Sequence, residues 1–212
     1  MTTTPSGPLA GRTALITGVS GAIGAEIARA FGRDGAAVLG TYLIHRERAE
    51  EALADLPDAR RLVLQAHLDD AESARDLWAR ASAAAAVDTL VVNAAAIPTT
   101  PLTGDLDAWD EGWIEALRVN VLSSVTLMRE AATTFAERGG GSIIAISSWA
   151  GQQGSRIPDL GAYAASKAAL RNFAQTLARA NARSGVRVYT IAPGVVGGGM
   201  GTADLDAAQI AE

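Results

Sequence analysis

Short apolar runs alternate with longer amphipathic stretches along almost the whole chain. Residues 12–17, 37–42, 61–65, 87–93, 142–147 and 186–192 read as strands, being brief apolar runs bounded by glycine, proline or charged positions. Between them, apolar positions recurring at the helical period predict helices over residues 25–32, 46–56, 71–85 and about 107–137, and a last one that carries Tyr163 and Lys167 and runs to Gly185. In the long fourth helix Asp107 is the expected N-cap, Trp109 and Trp113 lie one turn apart on the expected buried side, and Gly139, Gly140 and Gly141 end it. Gly185 suits the residue just past a helix C-terminus. Strands that read as continuous apolar runs, each followed by a helix, indicate an α/β parallel sheet covered on both faces. Ligands bind such sheets beyond the carboxyl ends of the strands, where the strand order reverses.

Composition narrows the reading. A chain of 212 residues, 49% hydrophobic, suffices for one sizeable core, so a single domain over 1–212 is expected, with residues 1–8 a mobile tail. The net charge of −5 leaves no basic patch for nucleic acid, which is not expected as a partner. No apolar run approaches the roughly 20 residues needed to cross a bilayer, and the first residues lack the charge and apolar stretch of a signal peptide. No membrane association is expected, and a cytoplasmic location is. The chain has no cysteine, and His45 and His67 show no ligand spacing, so no metal is expected.

Two stretches carry candidate chemistry. The first strand runs into Gly18, Ser20, Gly21, Ala22, Ile23 and Gly24, followed by a helix. Small residues at such a turn let the backbone approach a pyrophosphate, and the helix start offers it free N–H groups. Further on, Tyr163 and Lys167 stand four apart in an alanine-rich helix, so both project from one face, and Lys167 is the only lysine in the chain. A neighbouring ammonium favours the phenolate and lowers a tyrosine pKa, which makes the phenol a usable general acid or base. An exposed helix that merely carries both residues fits the pair equally well.

Taken in order from about Leu9 to Met200, the motifs resemble the short-chain dehydrogenase/reductase family, in a 3-oxoacyl reductase-like form. The turn at Gly18–Gly24 is similar to the family's cofactor turn, with Ala22 in place of the usual middle glycine, a methyl that is either tolerated or displaces the pyrophosphate outward. Asn93 and Ala94 match in part the asparagine-containing stretch after the fourth strand. Asn120, Ser148, Tyr163 and Lys167 match the catalytic set, and Pro193, Gly194 and Val196 the nicotinamide-side turn. The resemblance implies a Rossmann-type doubly wound parallel sheet with helices on both faces, six strands being evident and the usual seventh missing. It implies an oxidoreductase that interconverts a ketone and a secondary alcohol, probing a small-molecule substrate, in a homo-oligomer. Ser148 and Tyr163 would hold the carbonyl oxygen, Tyr163 would donate the proton, Lys167 would lower its pKa and bind the nicotinamide ribose, and Asn120 would keep a relay water.

Cofactor choice is read after the second strand, where an acid would hold the adenosine ribose. None stands at Thr41, Tyr42 or Arg46, so NADP(H) is expected over NAD(H), with Thr41 and Arg46 as phosphate partners. Gly21 occupies the place of a basic residue often found in the turn, His67 stands where the family has an aspartate near the adenine, and Leu68 follows it. Gly198 stands where a threonine usually contacts the carboxamide. The family's covering segment and last strand are short or missing here, which implies an open pocket side and an uncovered sheet edge, or a sequence trimmed from a longer protein. These departures keep open an alternative: a nucleotide-binding member with little chemistry that acts through a partner chain. The loop between Ser148 and Tyr163 is longer than usual, and its Arg156 either attracts an anionic group or, as expected, faces solvent.

Overall fold

The computed structural model describes residues 7–196. Six strands, β1 (Thr13–Ile16), β2 (Ala37–Tyr42), β3 (Arg61–Gln65), β4 (Thr89–Val92), β5 (Gly141–Ile146) and β6 (Val186–Ile191), form one sheet. It has the order β3-β2-β1-β4-β5-β6 and every pair is parallel. Gly198, and the stretch after residue 196 where the family's seventh strand is expected to be missing, fall outside the described residues. The order reverses between β1 and β4, which opens a crevice at their carboxyl ends.

Successive strand residues point to opposite faces, and here both faces are apolar. Ala14, Ile16, Val38 and Val91 pack with Ala28 of α1 (Ala22–Arg33) and Ala49 of α2 (Arg46–Ala52). Leu15, Leu39, Leu90 and Ile143 pack instead with α3 (Ala71–Ala84) and with the helices that follow β4 and β5. This alternation is why the strands look continuously apolar in sequence. On β6, Tyr189 and Ile191 remain half exposed among the described residues.

The helices depart from the sequence reading in several places. α2 ends at Ala52, because Leu53 and Leu56 turn inward to the core. The long helix is capped by Asp105, whose carboxylate accepts from the N–H groups of Asp107 and Ala108 at 2.9 and 3.4 Å, not by Asp107. That helix is also not uniform: α4 (Leu106–Glu115) passes through a π-helical stretch, Ala116–Ser123, into α5 (Ser124–Glu137). The loop after β5 contains a short helix, α6 (Ala150–Gln153), and the helix that carries Tyr163 and Lys167, α7, spans Gly161–Ala180, ending before Gly185. Gly185 serves the approach to β6, with φ of 75°, and a Cβ there would lie 2.6 Å from the Gly139 carbonyl oxygen.

Candidate active site

The crevice widens into a cleft of about 1390 Å³. This exceeds the roughly 300–1,000 Å³ of a pocket for one drug-sized ligand, so an extended dinucleotide and a second molecule fit together. Gly18, Ser20, Gly21, Ala22, Ile23 and Gly24 line one part of it. Gly18 has φ of 72°, a conformation open to glycine. A Cβ on Gly24 would lie 2.2 Å from the Gly18 carbonyl oxygen and 2.7 Å from Asn93 Nδ2, so α1 can start here only with glycine at that position.

The turn is pinned from β4. Asn93 Nδ2 donates to the Thr17 and Gly18 carbonyls at 2.9 and 3.2 Å, and the N–H groups of Asn93 and Ala94 donate to Thr17 Oγ1, both at 2.9 Å. Thr41 Oγ1 accepts from the Gly18 N–H at 3.1 Å. The first turn of α1 has no side-chain cap, so its N–H groups face the cleft unclaimed, as a pyrophosphate requires. Ala22 is exposed at this lip, where its methyl meets open space. The residues present therefore fit a dinucleotide. Gly24→Ala is expected to cost about 1–3 kcal/mol of stability, the usual penalty of overpacking, and at least about tenfold in dinucleotide affinity. Thermal melts and a nicotinamide fluorescence titration read both, and unchanged values would show that the turn opens without cost.

At the expected adenosine end Thr41 and Tyr42 are buried and line the cleft, as do His67 and Leu68. Arg46 does not line it: its guanidinium donates to Glu50 at 2.8 Å along the exposed face of α2. Arg48 and His45 do line it, neither singled out from the sequence as a cofactor contact. His67 Nδ1 stands 3.3 Å from Asp69, and Arg118 donates to the carbonyl and carboxylate of that same aspartate at 3.0 and 3.1 Å.

At the other end Ser148, Tyr163 and Lys167 share the cleft wall with Pro193, Gly194 and Val196. Lys167 is 3% exposed, and its Nζ donates to the Ile146 carbonyl at 2.9 Å and lies 5.8 Å from the centre of the Tyr163 ring. Burial lowers its pKa to about 8. Burial also raises the Tyr163 pKa, with the Ser148 hydroxyl pulling the other way. The expected lowering by Lys167 is thus not seen in this protein state, because the ammonium is turned to the Ile146 carbonyl and desolvation of the phenol is the larger effect.

Asn120 is fully buried in the π-helical stretch. Its amide donates to the Ala96 carbonyl at 2.8 Å and to Ser166 Oγ at 2.9 Å, and its oxygen accepts from the Ala96 N–H at 2.8 Å. Ser166 Oγ in turn donates to the Tyr163 carbonyl at 2.7 Å. The side chain therefore straps the loop after β4 to α7. Thr100, absent from the sequence reading, does the same one step further out. Its N–H and hydroxyl donate to the Asp159 carbonyl at 2.6 and 3.0 Å, and its oxygen accepts from Ala162 N–H at 3.3 Å. Nothing local in Pro98–Thr100 signals this, since the partner lies on a distant loop.

A parallel doubly wound sheet with a dinucleotide turn at its switch point, and a serine, tyrosine and lysine on one wall, defines a class of nucleotide-dependent enzymes. The family model for short chain dehydrogenase matches residues 12–208, and the chain belongs to that family. The bovine (Bos taurus) dehydrogenase/reductase SDR family member 4 is 36% identical over 193 residues, which are 89% of this chain and 67% of the relative. A solved short-chain dehydrogenase from Burkholderia cenocepacia in complex with NADP is 34% identical with a TM-score of 0.81, over 96% of this chain and 81% of that one. A 3-oxoacyl (acyl-carrier-protein) reductase from Agrobacterium tumefaciens with NADP bound is 32% identical with a TM-score of 0.80, over 92% of this chain and 74% of that one. No helix among the described residues is long and apolar enough to cross a membrane.

Proposed function

We propose that the protein is an NADP(H)-preferring oxidoreductase that interconverts a ketone and a secondary alcohol. The observation that carries this reading is the shared wall of Ser148, Tyr163 and Lys167 in a cleft whose far end is the glycine-rich turn. A reduced nicotinamide, when bound, supplies the hydride. Negative charge then grows on the substrate oxygen, which needs donors in place and a proton. Ser148 and Tyr163 hold that oxygen, and Tyr163 gives up the phenolic proton. Lys167, with a pKa near 8, can pass a proton at neutral pH. Asn120 keeps α7 in register through Ser166. Consumption of NADPH with a panel of ketones tests the reading, and a chain that binds NADPH yet oxidises it with none of them overturns it.

NADP(H) preference draws support from the missing acid after β2 and from the NADP in both solved relatives. Arg48, which lines the cleft where Arg46 does not, is the guanidinium that would meet a 2′-phosphate, with the His45 side chain lining the same stretch. A charge-assisted hydrogen bond of this kind stabilises by about 1.5–3 kcal/mol. Arg48→Ala is accordingly expected to weaken NADPH about tenfold or more and to leave NADH affinity unchanged. An equal loss for both cofactors would remove Arg48 from phosphate recognition.

A further inference from the structure

We infer that Arg156 and Trp149 form an anion clamp at the substrate end of the cleft, and that the preferred carbonyl substrate carries a carboxylate or phosphate. The inference rests on the ketone-reductase reading for what the pocket holds, and supplies the class of molecule it takes.

Both residues line the cleft alongside Ser148 and Tyr163. The guanidinium carbon of Arg156 sits 4.9 Å from the centre of the Trp149 ring. Stacking occupies the face of a guanidinium and leaves its N–H edge free, and that edge is the part that grips a carboxylate or phosphate with two parallel hydrogen bonds. The backbone that carries Trp149 is held in turn, since its main-chain N–H donates to the Pro193 carbonyl at 2.8 Å. The arginine, expected from sequence to point idly to solvent, is therefore exposed but held over a cleft wall.

Among the described residues no carboxylate lies within ion-pair reach of Arg156. The acids that line the cleft sit on other elements: Asp69 before α3, where Arg118 and His67 engage it, and Glu111 and Glu115 on α4. The remaining wall around Ser148 and Tyr163 is apolar or small, with Ala95, Ala96, Ile97, Ile157 and Leu160. A neutral ketone meets mostly those groups. An anionic one also meets the one unpaired cation of the Ser148–Tyr163 loop. In a chain of net charge −5 this attraction is local and does not come from the overall field.

The test compares 4-oxopentanoate with its methyl ester, which differ in the carboxylate and share the ketone. Calorimetric titration of each into the protein saturated with NADP⁺ should show the acid binding about tenfold tighter than the ester. Arg156→Gln should abolish that preference, leave ester binding and NADPH affinity unchanged, and melt like the parent. Arg156→Lys should recover only part of it, for it keeps the charge and loses the planar fork. Equal binding of acid and ester by the parent, binding of neither, or a preference that survives Arg156→Gln would overturn the inference. NADPH oxidation with the same two ketones, followed in parallel, separates the two readings. An Arg156-dependent preference with no turnover of these two ketones or of the wider panel sinks the reductase reading and leaves the clamp standing, whereas turnover without preference sinks the clamp alone.

Discussion

Tyr163→Phe is expected to slow carbonyl reduction by about 10² to 10⁴, the usual contribution of a positioned acid, while NADPH still binds. The substitution removes one hydroxyl and keeps the ring, so packing against α7 and the loop after β5 survives. The phenol in this protein is raised above its ordinary value of 10.0 by burial, which outweighs the opposing Ser148 hydroxyl. At neutral pH it is protonated, the form that reduction consumes. Alcohol oxidation needs the phenolate, so the reverse rate should climb as pH rises toward the phenol's range. Steady-state turnover in both directions, with a cofactor titration on the variant, reads all three expectations. Parent-like turnover by the Phe variant would remove Tyr163 from proton transfer.

Where local pattern decides a feature, the sequence reading holds. β2 and β3 have the expected bounds, and their parallel register pairs them from Val38 with Arg61 to Tyr42 with Gln65. The doubly wound sheet follows from strand after strand lacking a polar face. Where a distant group decides, the reading fails. Two aspartates two positions apart could each cap α4, and Asp105 does so because Gly104, at φ of 103°, turns the chain just before it. The π-helical stretch has no periodicity signal, and it coincides with Asn120 being drawn toward Ala96 and Ser166. Arg46, the expected phosphate partner, instead donates to Glu50 four residues on, a pairing the helical spacing already allows.

The site shows the same division. The helical spacing of Tyr163 and Lys167 makes them neighbours on α7, and that much is in the sequence. The direction of the ammonium is not, since it depends on the Ile146 carbonyl at the end of β5 and on the burial that sheet and helix together impose. Trp149 and Arg156 lie seven residues apart across α6, too irregular a path for any spacing rule to pair them.

Lys167→Met is expected to stop turnover and, at neutral pH, to stabilise the fold. The lysine pKa falls from its ordinary 10.5 to about 8 on folding, because the charged form loses its water. Below about pH 8 both folded and unfolded chains carry the proton, and the folded state bears the whole penalty, on the order of 3 kcal/mol. Between about 8 and 10.5 the unfolded chain binds more protons than the folded one, so stability rises with pH across that window. The raised Tyr163 pKa acts in the opposite sense above pH 10, which leaves the interval from 8 to 10 as the one to measure. Methionine removes the buried charge but also the hydrogen bond to Ile146, worth about 1 kcal/mol, so the net gain near pH 7 is about 1–3 kcal/mol. Urea unfolding of both proteins from pH 7 to 10 should show the parent gaining stability and the variant staying flat. A variant less stable at pH 7 with a parent-like pH slope would mean that Lys167 is solvated well enough to keep its ordinary pKa. A buried ammonium that weakens the structure on the cleft wall is the pattern expected of a group kept for the proposed reaction, and the two readouts together, lost turnover with a gain in stability, test that reading.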